Sequence, residues 1–597
     1  MRLINVKAFL EREELIRKRK RVDRRVKVLE FGNDEATEYA ILSHRWIAQE
    51  VDYDEMVELA KMDRKERDEI RQRDGYRKIL QSCKQAQKDG YERLWVDTCC
   101  IDKRSSAELS EAINSMYRWY ENAKVCYAYL HDVHGSSLPT ERKYLRYPGS
   151  DGWPEWFSRG WTLQELIAPS NVQFFNQDWQ TIGDKRTLSP TLRNVTGIPE
   201  HILTHGLREN RPCVAQIMSW ASHRRTTRVE DRAYSLMGLL DVNMPMLYGE
   251  GKKAFHRLQL EIIRASNDQS IFAWGSNERK VRTGSILADD PSCFWRCDRM
   301  ELMDHDEFVE FVKVYAPGEE LDSVEDRLGT FPITNRGIQI WLLLRPYDRS
   351  CTLFRAWLPC RSRPRDPPLT IDLALWESNY YRWQVPFPGL LSPEGPLQLH
   401  QIYLRYQDLP HRNTTFRIDD SALTENGFTC YDVCPGRFSG ATLTLTSTDP
   451  LCVKVFSDSL TNYRLVVGLG QYFGNDWIHL ISDESILLPH RSRQDYTNRK
   501  YNEMDAQAPT HAQLMHNTRS GVDQVCIMQT RLPQITSILQ ISSVMWKSSR
   551  MRGVKFEVFH DPGFGDVPGE WTAFDVDVGS SFARLIGTDI TTYVGNK

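Results

Sequence analysis

The sequence predicts an α/β N-terminal half, flavodoxin-like in its doubly wound parallel sheet with extra helices, followed by a mostly antiparallel β domain, a sandwich or a barrel. Two observations carry this. Short apolar runs at 26–31, 39–43, 94–97, 125–130 and 172–175 alternate with helical stretches, and strands separated by helices pair in parallel through crossovers. After about residue 280 the period becomes two. Ile338, Ile340 and Leu342 alternate with Gln339, Trp341 and Leu343, and Val554, Phe556 and Val558 with Lys555 and Glu557. That is the pattern of half-buried antiparallel strands. The boundaries read 1–280 for the first half, as a core of about 26–185 plus a helical extension over 186–280, and 281–597 for the β-rich region, of one or two sub-domains.

Taken in order, residues 11–27 are rich in Arg, Lys and Glu and read as a solvated helix face. The basic run at 17–21 is also a candidate nuclear-localisation patch. The strand at 39–43 ends in Ser43-His44-Arg45-Trp46, polar groups at a carboxyl end, where open parallel sheets bind ligands. Residues 54–88 are helical and highly charged, broken at Asp74-Gly75, with Tyr76, Ile79, Leu80 and Cys83 on one face. The strand at 94–97 runs into Thr98-Cys-Cys-Ile-Asp102, and 108–122 is amphipathic through Leu109, Ile113, Met116 and Tyr120. Residues 196–275 are helical. Thr226 opens a capping pattern, and Tyr248-Gly-Glu-Gly-Lys-Lys is a turn and helix start that lacks the spacing of a phosphate loop.

Composition excludes several classes. A net charge of -3 in 597 residues argues against nucleic acid or a membrane surface as the global partner. No run of about eighteen apolar residues appears, so no membrane span is expected. The 13 cysteines are odd in number and scattered, which suits a reducing compartment, cytoplasmic or nuclear. Cys293 and Cys297, and Cys430 and Cys434, are spaced by four without nearby histidines, so no metal is expected. Cys99 and Cys100 beside His44 would permit thiol chemistry, but cysteine is among the most buried residue types and the core reading is preferred.

The chemistry centres on Ser158-Arg-Gly-Trp-Thr-Leu-Gln-Glu-Leu-Ile167. A glycine-hinged entry leads into a helix bearing one carboxylate, Glu165, with Trp161 and Leu166 as apolar anchors and Arg159 facing something polar. Winding brings Glu165 to one rim with Ser43, His44, Arg45, Asp97 and Asp102. Arginine, histidine and carboxylates at one rim make a phosphate-and-ribose site. Asp97 and Asp102 serve equally well as caps and turn residues.

Four ordered motifs, Tyr39-Ala-Ile-Leu-Ser-His-Arg-Trp46, Leu94-Trp-Val-Asp-Thr-Cys-Cys-Ile-Asp102, Ser158-Arg-Gly-Trp-Thr-Leu-Gln-Glu-Leu166 and Glu230-Asp-Arg-Ala-Tyr-Ser-Leu-Met-Gly238, together resemble the fungal heterokaryon-incompatibility (HET) domain over about 1–275. The resemblance implies a trigger of cell death in non-self recognition and a fold related to the Toll/interleukin-1 receptor (TIR) domain. Many TIR domains cleave NAD at the nicotinamide–ribose bond with a glutamate in a Trp-Cys-x-x-Glu-Leu frame. Here Trp161-Thr-Leu-Gln-Glu-Leu166 has that frame with threonine in the cysteine position, which puts the catalytic role on Glu165. It implies NAD or a related nucleotide as substrate with no cofactor. Substrate-binding roles fall on Ser43, His44, Arg45, Trp46, Asp97, Asp102, Arg159 and Trp161, with Arg45 or Arg159 on the pyrophosphate. It also implies self-association on activation and a protein trigger. The alternative is a non-enzymatic scaffold that self-associates and recruits partners. A third reading gives the β region a glycan or peptide ligand of its own.

Overall fold

The computed structural model describes residues 1–20, 25–208, 211–275, 282–316, 327–347, 353–376, 378–384, 396–407, 414–435, 438–446, 451–458, 463–472, 475–483, 492–517, 524–532, 537–545, 551–560 and 571–575. Arg21, the end of the basic run, lies outside them.

The chain opens with strand β1 (Arg2–Asn5) and helix α1 (Val6–Arg17). The Asn5 side chain accepts from Ala8 N and caps α1, and Val6, Phe9, Arg12 and Ile16 are its buried face. This charged segment is therefore a packed helix, and its buried stripe falls at the spacing of one helical face. Strands β2 (Leu29–Phe31) and β3 (Ala40–His44) follow. Every residue of β3 is buried, as a strand covered on both faces must be.

Helices α2 (Tyr53–Glu58) and α3 (Arg64–Gln72) each begin with a complete capping box, Asp52 with Glu55 and Asp63 with Glu66. These caps satisfy N–H groups that the helix leaves open. Helix α4 (Asp74–Lys88) starts where the sequence shows its Asp-Gly break. Gly75 is required there, since a Cβ would stand 2.4 Å from the Gln49 carbonyl oxygen. Next come β4 (Arg93–Trp95), α5 (Ser106–Asn122), β5 (Val125–Tyr129), α6 (Thr162–Ile167), β6 (Val172–Phe175) and β7 (Thr181–Asp184).

These strands form one seven-stranded sheet in the order β2-β1-β4-β3-β5-β6-β7. Its centre is parallel: β3 pairs with β4 and β5, and β5 with β6. The edges are antiparallel, β1 against β2 and β4 and β7 against β6. The sheet is thus mixed where a purely parallel one was expected. Strands β1 and β7 are four residues each, too short to show alternation against their charged surroundings. The parallel strands lie in the spatial order second, first, third, fourth, so the direction of winding reverses between β3 and β5. A ligand crevice at the carboxyl ends of the strands belongs at that reversal.

The later chain is β-rich, as expected. Five strands close into a barrel in the order Thr370–Trp376, Leu353–Trp357, Ile338–Pro346, Gln398–Leu404, Asn379–Gln384, with Arg282–Gly284 added to the last. Phe428–Cys434, Leu451–Asp458, Arg464–Tyr472 and Asn475–Asp483 make an antiparallel sheet. A seven-stranded sheet carries one parallel pair, Thr414–Asp419 with Met551–His560. The chain divides into two compact units, one of residues 1–277, 287–343 and 357–371 and one of 278–286, 344–356 and 372–597. The second has its own core, in which Trp383, Phe416, Phe456, Trp477 and Tyr496 are buried. No helix among the described residues is long and apolar enough to cross a membrane.

Candidate functional site

Strand alternation decides where the Ser-His-Arg-Trp motif points. Successive side chains leave a strand on opposite faces, so Ser43 and His44 at the end of β3 enter two different environments.

On the Ser43 side, its hydroxyl donates to Glu165 Oε2 at 2.5 Å and accepts from Trp156 Nε1 at 2.9 Å. Trp156 sits in a 3-10 turn, Glu155–Ser158, that leads into α6. Glu165 is only 6% exposed. Helix α6 has no side-chain N-cap of its own. Thr162 Oγ1 instead donates to the carbonyls of Trp156 and Arg159, and Arg224 donates to Thr162 Oγ1. At the other end the buried Lys185 ammonium donates to the carbonyls of Leu166, Ile167 and Pro169, a cation on the negative end of the helix dipole. Burial, with the charge of Asp97 added, pushes the Glu165 carboxyl up to about 8 against the pull of Ser43, Arg159 and Arg224. Glu165 is therefore mostly protonated at neutral pH.

On the other side, the His44 side chain is 1% exposed, with Nε2 3.7 Å from Glu50 Oε2 and 3.8 Å from Asp97 Oδ1. Lys78, on α4, donates to Glu50 Oε1 at 2.5 Å and to the Arg45 carbonyl at 3.2 Å. Trp46 Nε1 donates to Asp97 Oδ2 at 2.6 Å, and the Lys103 ammonium lies 3.8 Å from the Trp46 ring centre. This is a knot of charges that fixes the loop after β3.

Arg45 turns to a third group. Its guanidinium pairs with Glu155 and lies 3.3 Å from His131 Nε2. Among the described residues, His131, Asp132 and Glu155 are the one trio of metal-ligand type side chains whose donor atoms all lie within 4.8 Å of one another, and Arg45 already reaches into it. Asp102 stands apart, holding Arg104 through both its carboxylate oxygens. Trp161 is half-buried and lies beside Asp231, so it is a lesser anchor than Leu166, which is fully buried. Arg159 donates to Thr227 Oγ1 at 3.3 Å. Cys99 and Cys100 are buried, and the bond to Cys100 together with burial raises the Cys99 thiol well above its ordinary value.

The single rim expected from the sequence thus resolves into three clusters, with Asp102 outside them. Lys78, Glu50 and Arg224 were not legible in the sequence, because a charged side chain in a polar stretch reads as solvated, and Trp156 because its bond to Ser43 spans 113 positions.

Residues 39–151 match the family model described as heterokaryon incompatibility protein (HET), and residues 253–284 match one described as domain of unknown function (DUF8212). The vegetative incompatibility protein HET-E-1 of Podospora anserina is 45% identical over 231 residues, which is 38% of this chain and 16% of that protein's length. No solved structure matches the chain.

Proposed function

Because this chain is a heterokaryon-incompatibility (HET) domain protein, we propose that it acts in fungal non-self recognition as a cell-death effector and cleaves NAD at the nicotinamide–ribose bond. The observation that supports the chemistry is the buried Glu165, hydrogen-bonded by Ser43 beside the point where the winding reverses. The C1′–N bond breaks with its electron pair going to the pyridinium nitrogen, so nicotinamide leaves neutral and needs no general acid. Water then attacks C1′ and releases one proton, giving ADP-ribose. An ionised Glu165 stabilises the cationic ribosyl transition state. Its raised pKa makes that ionised form scarce at rest, so turnover rises with pH through about 8 unless activation re-exposes the carboxylate.

The test is nicotinamide release by the full chain, native and Glu165→Gln. Release at least about 100-fold slower in the folded variant is expected, the scale of losing one transition-state electrostatic contact. Equal release by both removes Glu165 from the site. The completeness of Glu165's burial favours a second reading, a structural carboxyl in a self-associating scaffold. No release by the native chain at concentrations that drive self-association, with Glu165→Gln altering assembly, selects it.

A further inference from the structure

We propose that Arg159, Arg224 and Thr227 form a subsite for a phosphate group beside Glu165, walled by the 224–228 segment. The two stretches involved run side by side. Gly160 N donates to the Arg225 carbonyl at 2.9 Å, Arg225 N donates to the Ser158 carbonyl at 2.6 Å, and Arg159 bridges Arg225 in parallel. The approach demands glycine, since a Cβ on Gly160 would stand 2.5 Å from Thr226 Cγ2.

Arg224 is the unusual group. It is 5% exposed, and its guanidinium donates to the carbonyls of Arg159 (2.9 Å) and Trp220 (3.2 Å) and to the Thr162 hydroxyl (2.9 Å). All three acceptors are neutral. Among the described residues the charged group that acts on it is Glu165, and burial lowers its own pKa to about 9. A buried cation without a counter-ion in contact is strongly unfavourable. Arg159, half-buried, likewise has no carboxylate within 4.0 Å among the described residues: burial and the like charge of Arg45 press on it, and Glu165, Asp231 and Glu155 act on it only from further off. Its Nη2 and the exposed Thr227 hydroxyl already face each other across 3.3 Å.

An anion that accepts from Arg159 and Thr227 supplies the contacting counter-charge that Arg159 lacks. The Arg159 guanidinium fork and the Thr227 hydroxyl suit phosphate oxygens, with the buried charge of Arg224 behind the segment they stand on. The ligand class is the phosphate or pyrophosphate of a nucleotide. Its assignment to a dinucleotide substrate rests on the NAD reading above; the anion subsite does not.

The experiment is calorimetric binding of inorganic pyrophosphate and of ADP-ribose to the full chain, native, Arg159→Gln and Thr227→Val, with nicotinamide release in parallel. Arg224→Lys is a further variant, used if it folds. Both probes are expected to bind the native chain. Arg159→Gln weakens binding by about tenfold or more, a loss of one charged fork, and higher salt weakens it further. Native-like affinity in both Arg159→Gln and Thr227→Val, or no binding of either probe at millimolar concentration, overturns the subsite. Binding that depends on Arg159 without any nicotinamide release keeps the subsite and sinks the glycohydrolase. Release with a KM indifferent to Arg159→Gln does the reverse.

Discussion

Glu50 and Glu165 stand on opposite sides of the end of β3, both largely out of water, and the structure holds them in opposite charge states. Burial by itself would raise the Glu50 carboxyl, but His44 and Lys78 outweigh it and pull it to about 2. Glu165, with a hydroxyl in contact and its arginines further off, goes up to about 8. The difference shows what sets the charge of a buried carboxyl. His44 and the Lys78 ammonium at 2.5 Å together override desolvation, whereas the more distant Arg159 and Arg224 do not. One side of the strand is built as a permanent ion pair, the other as a carboxyl that keeps its proton until something changes.

Removing the touching cation is the strongest way to break this contrast. Lys78→Met leaves the half-buried Glu50 with His44 as its remaining partner, and a loss of about 3 kcal/mol or more is expected in urea unfolding at pH 7. A loss below about 1 kcal/mol would mean that Glu50 is hydrated rather than paired.

The pH dependence of stability sharpens the contrast next. The folded state raises Glu165 from 4.5 to about 8, so it binds a proton that the unfolded chain has released. Stability therefore falls as pH rises from about 4.5 and levels off above 8. Glu50, lowered to about 2, contributes stability fully above its unfolded value and loses it as pH falls toward 2. Glu165→Gln should accordingly gain on the native chain as pH rises, by on the order of 2–4 kcal/mol between pH 5 and pH 9. A difference that stays flat with pH would mean Glu165 is ionised at rest.

The smallest effect belongs to Ser43→Ala. Losing the hydroxyl that bridges Trp156 and Glu165 should cost about 1–2 kcal/mol in thermal unfolding, and should move the Glu165 titration further up, since the Ser43 bond is a downward influence on it. An unmoved titration would show that the bond does not discriminate between the two forms of the carboxyl.

Much of the N-terminal sheet was legible because its central strands are largely apolar. The runs at 39–43, 125–130 and 172–175 correspond to β3, β5 and β6. Helix α5 was visible through Ile113, Met116 and Tyr120, all buried, although Leu109 is only partly so. Helix α1 was harder, because Arg12 contributes to its buried face and a buried arginine looks like a solvated one in sequence. Glu165 was singled out from its motif, and its meeting with Ser43 follows from the winding. Trp156 and Arg224 were not legible, since they reach Ser43 and Thr162 only through tertiary contacts. The separation of Ser43 from His44 follows from strand alternation, and that rule was available in the sequence.

The contacts around Glu165 also bear on timing. Ser43 lies 122 positions before it, Lys185 closes the end of its helix from 16–19 positions beyond the carbonyls it holds, and Arg224 reaches back 62 positions to Thr162. A six-residue helix has little stability alone, and long loops must close before such contacts form. A ribosome-bound chain that has not yet exposed residue 225 therefore lacks the Arg224 contact to the helix of Glu165, so the carboxyl acquires its full setting only after the first two hundred residues have emerged and folded together.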